Sequence, residues 1–336
     1  MASSKDLPPL TKSYLKIFIE SQFRAKPSQL PKGTNLSGKG SNVGIGFEAA
    51  RQLLSFSLST LILAVRSVQK GEAAAAKLSK LYPKATIKVW SLDMSSYKSV
   101  EAFAKRAECE LTRLDMAILN AGIGNPRFEV NANTGHEEMM QVNYLSTALL
   151  AILLLPVLKK KSPPDGPGRL SITSSGLALI AKTPESNKGI LKSLDIVETF
   201  NPFTNYSVSK LLAHMFLYQL EDKVSADDVV ANLVDPGYVK GTNLQRHLTG
   251  LRAVVSWLLG AATGRSPAHG ASTYLDATIS KGKESHGCYL ADWQIRPFAS
   301  ILYTPEGKQL IEQVWRETLD EFDFVDARGI LDWMKE

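Results

Sequence analysis

From about residue 40 onward, short apolar runs alternate with longer stretches of helical spacing. Leu61–Val65, Thr86–Trp90, Met116–Leu119, Leu170–Thr173 and Val229–Val234 read as strands, and Cys288–Leu290 as a shorter one. Several are nearly continuous apolar runs, the pattern of strands covered on both faces of a parallel sheet. Between them, Gly44–Leu54, Lys70–Leu81, Lys98–Leu111, Glu137–Leu158, Ser207–Lys223 and Ala268–Ser280 have helix-like periodicity. The alternation predicts an α/β fold, one doubly wound parallel sheet with helices on both faces. Ligands of such sheets bind beyond the carboxyl ends of the strands. Residues there are therefore the ones to inspect for chemistry.

Composition narrows the class. Of 336 residues, 44% are hydrophobic and 21% charged, which is enough apolar material for a sizeable core. The two cysteines, Cys109 and Cys288, fit neither a disulfide framework nor a metal-ligand spacing, so a reducing compartment and no metal site are expected. The net charge of +6 invites a nucleic-acid reading, but residues 1–40 contribute +5 of it. The body is nearly neutral, and no nucleic-acid partner is expected. Lys159–Lys161 reads as the solvated end of a helix.

The first ten residues hold two prolines and no apolar core of a secretory signal, so a cytoplasmic location is expected. Ala148–Leu158 is too short to span a membrane and contains Pro156, and reads as a buried helix. In the N-terminal arm, Leu15, Phe18, Ile19 and Phe23 recur at helical spacing beside Lys12, Lys16 and Arg24. Docking of this helix on its own domain is favoured over peripheral contact with a membrane surface. The chain thus divides into a basic amphipathic arm (1–34), a sheet domain (35–290) and a helical tail (291–336).

Candidate chemistry lies at strand ends. Gly40-Ser41-Asn42-Val43-Gly44-Ile45-Gly46 opens a helix, where small residues and free N–H groups suit a pyrophosphate. Arg66 ends the next strand, with Lys70 one turn on. A carboxylate there would take the ribose hydroxyls of NAD; Arg66 suits a 2′-phosphate, so NADP(H) is preferred over NAD(H). Asp93 and Asn120-Ala121-Gly122 each follow a strand. Tyr206 and Lys210 stand four apart on a helix and so share a face. A nearby ammonium would lower the phenol's pKa, suiting it to proton transfer near neutral pH. Ser174-Ser175 ends a strand upstream, and Asn143 lies in the preceding helix.

In this order, and with Asp235-Pro236-Gly237-Tyr238-Val239-Lys240-Gly241-Thr242, these motifs resemble the short-chain dehydrogenase/reductase family from about Asn35 to Leu290. The Ser175-to-Tyr206 spacing is similar to that of the retinol-dehydrogenase-like branch and of fungal secondary-metabolism reductases. The resemblance implies a Rossmann-like domain that interconverts a carbonyl and an alcohol. Tyr206 would be the general acid/base, Lys210 its partner on the nicotinamide ribose, Ser175 the carbonyl donor and Asn143 the holder of a relay water. Gly40, Ser41, Asn42, Gly44, Ile45, Gly46, Arg66, Lys70, Asp93, Asn120, Ala121, Gly122, Pro236, Gly237, Val239 and Thr242 would line the cofactor. The substrate would be small and apolar, shaped by Leu177–Thr204 and by a possible lid within Tyr238–Pro267, and a homo-oligomer would be ordinary for the family.

One departure stands out. The family has a hydrophobic strand running into the glycine turn, whereas here Leu36-Ser37-Gly38-Lys39 meets Gly40 directly. About five residues, the central first strand, look truncated or missing, which would leave two neighbouring strands without ladder partners. Residues 33–39 could be drawn into the gap, the gene model could omit an exon segment, or the chain could be a non-catalytic Rossmann-like protein with impaired cofactor binding.

Overall fold

A computed structural model describes residues 3–28, 30–31, 34, 40–43, 46–162, 166–183, 189–240 and 262–336. Eight strands form one sheet: β1 Gly40–Val43, β2 Thr60–Val65, β3 Thr86–Ser91, β4 Met116–Leu119, β5 Gly168–Thr173, β6 Val229–Asp235, β7 Cys288–Ala291 and β8 Gln294–Arg296. Their order is 3-2-1-4-5-6-7-8, all parallel except the β7–β8 hairpin. The order reverses between β1 and β4, which sets the ligand crevice at their carboxyl ends.

Alternation along the strands divides the core. Leu61, Leu63, Met116 and Ile118 pack on α2 (Phe47–Ser55), α3 (Val68–Leu81) and α7 (Pro267–Leu275). Ile62, Ala117 and Leu119 face the other layer, built from α4 (Tyr97–Glu110), α5 (Glu138–Lys161), α6 (Pro202–Leu220), α8 (Pro305–Glu321) and α9 (Ala327–Trp333). Each buried leucine or isoleucine contributes roughly 1.5–3 kcal/mol, and a two-residue period serves both layers at once. Among the described residues, α5 alone is long and apolar enough to cross a membrane, and 89% of its apolar window is buried inside the protein.

The expected gap at the sheet's centre is filled. Gly40 lies opposite Thr60, and Val43 lies opposite both Leu63 on β2 and Ile118 on β4. The central strand is therefore present but short: the chain builds it from Gly40–Val43, residues assigned to the phosphate turn. The reason is the ladder. An empty position would strand buried N–H and C=O groups on two neighbours, and the nearest available backbone is drawn in. The deficit moves to the connection, where residues 44–46 alone join β1 to α2.

Two boundaries also shift. The division at 290 assigned Gln294–Arg296 to the tail, but these residues form β8 and pair with β7. The arm is an integral part of the domain. Ser4 is fully buried; its hydroxyl donates to the Arg296 carbonyl (2.6 Å) and accepts from the Tyr289 N–H (2.9 Å). Lys5 pairs with Glu221 and Asp222, both at 3.1 Å. Beyond α1 (Tyr14–Arg24), Ser28 donates to Asp276 at 2.5 Å. Docking of the arm on its own domain is thus what the structure shows, although Leu15, Ile19 and Phe23 of the predicted apolar stripe stay outside, 67%, 44% and 59% exposed.

Candidate active site

Three strand-end segments and one helix converge on one cavity of about 1560 Å³. The segment after β4 brings Asn120 and Gly122, that after β5 Ser174 and Ser175, α6 brings Tyr206 and Lys210, and the turn after β6 brings Asp235–Lys240. Helix α6 starts where it does because Asn201 caps it, accepting from the Thr204 N–H, and Pro202 follows at the first turn. That start fixes which face carries Tyr206 and Lys210.

Lys210 is 3% exposed, and its Nζ donates to the Thr173 carbonyl at 3.0 Å. Burial draws its pKa down to about 8, with the Asp235 carboxylate opposing the shift. Its Nζ lies 5.9 Å from the Tyr206 ring centroid. Burial pushes the Tyr206 phenol up to about 12, against a hydrogen bond with Ser175 and with further upward pressure from Asp235 and Tyr14. The expectation of a lowered phenol pKa is corrected: desolvation outweighs the Ser175 hydrogen bond, and the Lys210 ammonium is turned toward Thr173. At neutral pH Tyr206 is a protonated phenol, a donor.

The two serines have different jobs. Ser174 is buried and its Oγ is 2.8 Å from His214 Nε2, one turn beyond Lys210. Burial and then the Lys210 charge hold His214 down at about 3, so it is neutral. Ser175 is half-buried, caps the following turn by accepting from the Leu177 N–H (3.3 Å) and meets Tyr206.

Asn143 sits in a π-helical turn, Gln141–Leu145, inside α5. Such a turn shifts the helix face by one residue and is frequent at functional sites. Its amide is held on both sides by Ile123, accepting from the N–H (2.8 Å) and donating to the carbonyl (3.0 Å), and it donates to Ser209 (3.1 Å). A Cβ on Gly122 would lie 3.5 Å from Asn143 Oδ1 and 3.6 Å from Lys210 Nζ. The bare glycine therefore keeps open the space between these two groups.

A second cavity of about 500 Å³ is lined by Arg66, Asp93, Ala121 and Arg127, and shares Asn120 and residues 122–126 with the first. Together they run from Tyr206 and Lys210 to the end of β2, which fits a dinucleotide at its two ends. Asp93 accepts from the Ser95 N–H (3.0 Å), and Asn120 accepts from the Tyr274 hydroxyl (2.8 Å). Lys70 is exposed and lines neither cavity. Gly46 caps α2 at the cavity edge, and Pro236, Gly237 and Val239 form the opposite rim. Gly237 has φ +74°, a conformation that favours glycine, and a Cβ there would press on the Arg265 guanidinium. Gly40, Ser41 and Asn42 are strand residues and do not form a turn. Gly44, Ile45 and Thr242 lie outside the described residues, as does most of the expected lid, 241–261.

Three residues received no site role in the sequence reading, although Asp235 stood in one of its motifs. Asp235 is buried, accepts from the Gly237 N–H (2.8 Å) and the Tyr289 hydroxyl (3.0 Å), and burial raises its pKa. Tyr274 bridges Asn120 and Thr173. Tyr14, on α1, reaches the rim beside Gly176. A phenol on a surface-like arm gives no local signal of this.

Comparison with known proteins agrees with the geometry. A family model described as short chain dehydrogenase matches residues 39–182. The chain is 55% identical to short chain dehydrogenase/reductase mfmJ of Annulohypoxylon moriforme, covering 100% of this chain and 99% of that protein. That alignment spans 342 positions against 336 residues, so the relative carries about six positions with no counterpart here. It is 44% identical to short chain dehydrogenase virL of Hypocrea virens, over 95% of this chain and 94% of the other. Among solved structures, an NADPH-dependent 3-quinuclidinone reductase from Rhodotorula rubra superimposes with a TM-score of 0.59 at 21% identity, over 83% of this chain and 99% of the other, a likeness of fold. With its strand order, its convergent Ser175, Tyr206 and Lys210 and these full-length relatives, the chain belongs to the short-chain dehydrogenase/reductase family of oxidoreductases.

Proposed function

We propose that this protein reduces a ketone or aldehyde on a small apolar molecule to the alcohol, with NADPH as the favoured cofactor. The observation that carries this reading is the convergence of Ser175, Tyr206 and Lys210 on one cavity lined largely by apolar side chains, with the buried Asn143 amide meeting Lys210 beside Gly122. A bound nicotinamide supplies the hydride. The chain supplies position and a proton. The Ser175 hydroxyl donates to the carbonyl oxygen and orients it. Tyr206, protonated at neutral pH, gives its proton to that oxygen as charge develops. Lys210 holds the ribose end and, across the space beside Gly122, faces the Asn143 amide. A water there would carry a proton back toward Tyr206.

The preference for NADPH is supported by Arg66, which is exposed on the second cavity where a carboxylate would serve NAD. A place in a fungal biosynthetic pathway is supported by the fungal relatives alone. The test is Tyr206→Phe in the full-length protein, followed by NADPH titration and carbonyl turnover. Turnover should fall by about 10²–10⁴-fold, the usual weight of a general acid, with NADPH affinity nearly unchanged. Turnover retained at saturating cofactor would overturn the reading, and so would absence of NADPH and NADH binding by the wild type.

A further inference from the structure

Helix α1 crosses the mouth of the catalytic cavity as a strap. It is pinned upstream by Ser4 and Lys5 and in its own last turn by Ser21, which donates to Asp292 (2.6 Å) and accepts from Arg265 (3.1 Å). None of its eleven residues is fully buried, so the helix serves the cavity more than the core. Its inward side presents Tyr14 and Phe18, whose rings lie 6.3 Å apart, and Phe18 continues to Tyr238 at 6.4 Å.

Tyr14 reaches furthest. A Cβ built on Gly176, the residue after Ser175, would lie 3.7 Å from the Tyr14 hydroxyl and 3.3 Å from Asp235 Oδ2. A phenol and a buried carboxyl group therefore lie together beside the serine, on a stretch of cavity wall that also carries Leu177, Leu179 and Phe203. Tyr14, Gly176 and Asp235 all line the cavity, and the bare Gly176 backbone lets a ligand lying against it reach both groups. Tyr14 can donate to an oxygen, and Asp235 can accept from a hydroxyl. A polar pair in an apolar wall fixes ligand orientation and rejects ligands that leave it unmatched.

We propose that Tyr14 and Asp235 form a hydroxyl-recognition niche, and that the substrate is an apolar carbonyl compound bearing a hydroxyl on the carbon next to the one reduced. The niche rests on the carbonyl-reductase reading only in naming the reacting group. With the carbonyl oxygen between Ser175 and Tyr206, the neighbouring hydroxyl donates to Asp235 and accepts from Tyr14.

The experiment measures binding of 1-tetralone and 2-hydroxy-1-tetralone by calorimetry to the full-length protein with NADP⁺ present, which has no hydride to give, so that the ketones bind without being reduced. The wild type should bind the hydroxylated ketone about tenfold more tightly, the value of one to two matched hydrogen bonds. Tyr14→Phe should bring that ratio close to one. Phe23→Ala, on the exposed side of the same helix, should keep the ratio, which separates loss of the hydroxyl from disturbance of the strap. Tyr206→Phe should also keep the ratio while losing turnover, so failure of the catalytic assignment is read separately from failure of the niche. Equal affinity of the wild type for the two ketones, no binding of either, or a ratio unchanged by Tyr14→Phe would overturn the niche.

Discussion

The two ends of the crevice are built on opposite terms. At the catalytic end, β4, β5, β6 and α6 are buried on both sides, and each side chain is set by a rigid element and a named hydrogen bond. At the phosphate end, β1 and its turn compete for the same few residues. The sheet takes Gly40–Val43, and the connection to α2 is left with residues 44–46. Ladder closure is collective, since an unfilled central position leaves two strands unpaired, whereas a phosphate turn has no partner until a ligand arrives. When the chain is short, the fold is completed before the site.

The largest effect that would break this contrast comes from Lys210→Met. If the catalytic end is as fixed as described, turnover falls by about 100-fold or more. Stability at pH 7 should rise by about 1–2 kcal/mol, because a buried cation is replaced by an apolar side chain. The sign follows from linkage: Lys210 has its folded pKa lowered to about 8. Between that value and the ordinary lysine range the unfolded chain holds the extra proton, so wild-type stability climbs with pH and the mutant's advantage fades. Denaturant melts at pH 7 and pH 10 check it.

Next comes insertion of five β-branched residues between Lys39 and Gly40. A proper first strand would release Gly40–Val43 to the turn, tightening NADPH binding by about tenfold or more, the value of one charge-assisted hydrogen bond, and raising the Tm. Calorimetry and thermal melts report both, and unchanged affinity would remove the proposed competition. Arg66→Asp addresses the same end from the adenosine side. It should move cofactor preference toward NADH by about tenfold, through loss of a guanidinium–phosphate pair; equal NADPH and NADH affinities before and after would count against Arg66.

The smallest effect concerns a clamp at the catalytic end. His136 joins Asp195 (Nδ1, 2.8 Å) and Glu321 (Nε2, 3.2 Å), tying the loop after β4 to the Ser175–Tyr206 connection and to α8. Burial opposes its charge, yet the two carboxylates raise its pKa to about 9. Its contribution is complete below the ordinary histidine pKa and is lost as pH rises through about 9. Stability should therefore fall by about 1 kcal/mol over that window. His136→Gln should flatten the slope in denaturant melts taken from pH 6 to 9.5.

Much of this was legible in the residues. Met116–Leu119 is a strand at the boundaries its apolar run predicts, and the four-residue spacing of Tyr206 and Lys210 places them on one wall. Other features leave no periodic trace. The hairpin to β8 turns through Asp292 and Trp293, both with positive φ (+55° and +59°), a conformation no one would assign to tryptophan. It is held by tertiary partners: Trp293 Nε1 donates to Ser272 (3.2 Å), and Arg265 lies 4.8 Å over the indole. The π-helical turn that aims Asn143 is likewise invisible to a 3.6-residue period.

By itself, the sequence determined the alternation of strands and helices, the family and the candidate reacting groups, because these depend on local spacing and side-chain chemistry. Only the tertiary structure decided that Gly40–Val43 completes the sheet, that burial raises the Tyr206 pKa and that Tyr14 of the arm stands beside Ser175. Those outcomes depend on ladder closure, desolvation and long-range packing, which arise between segments and are written in none of them singly.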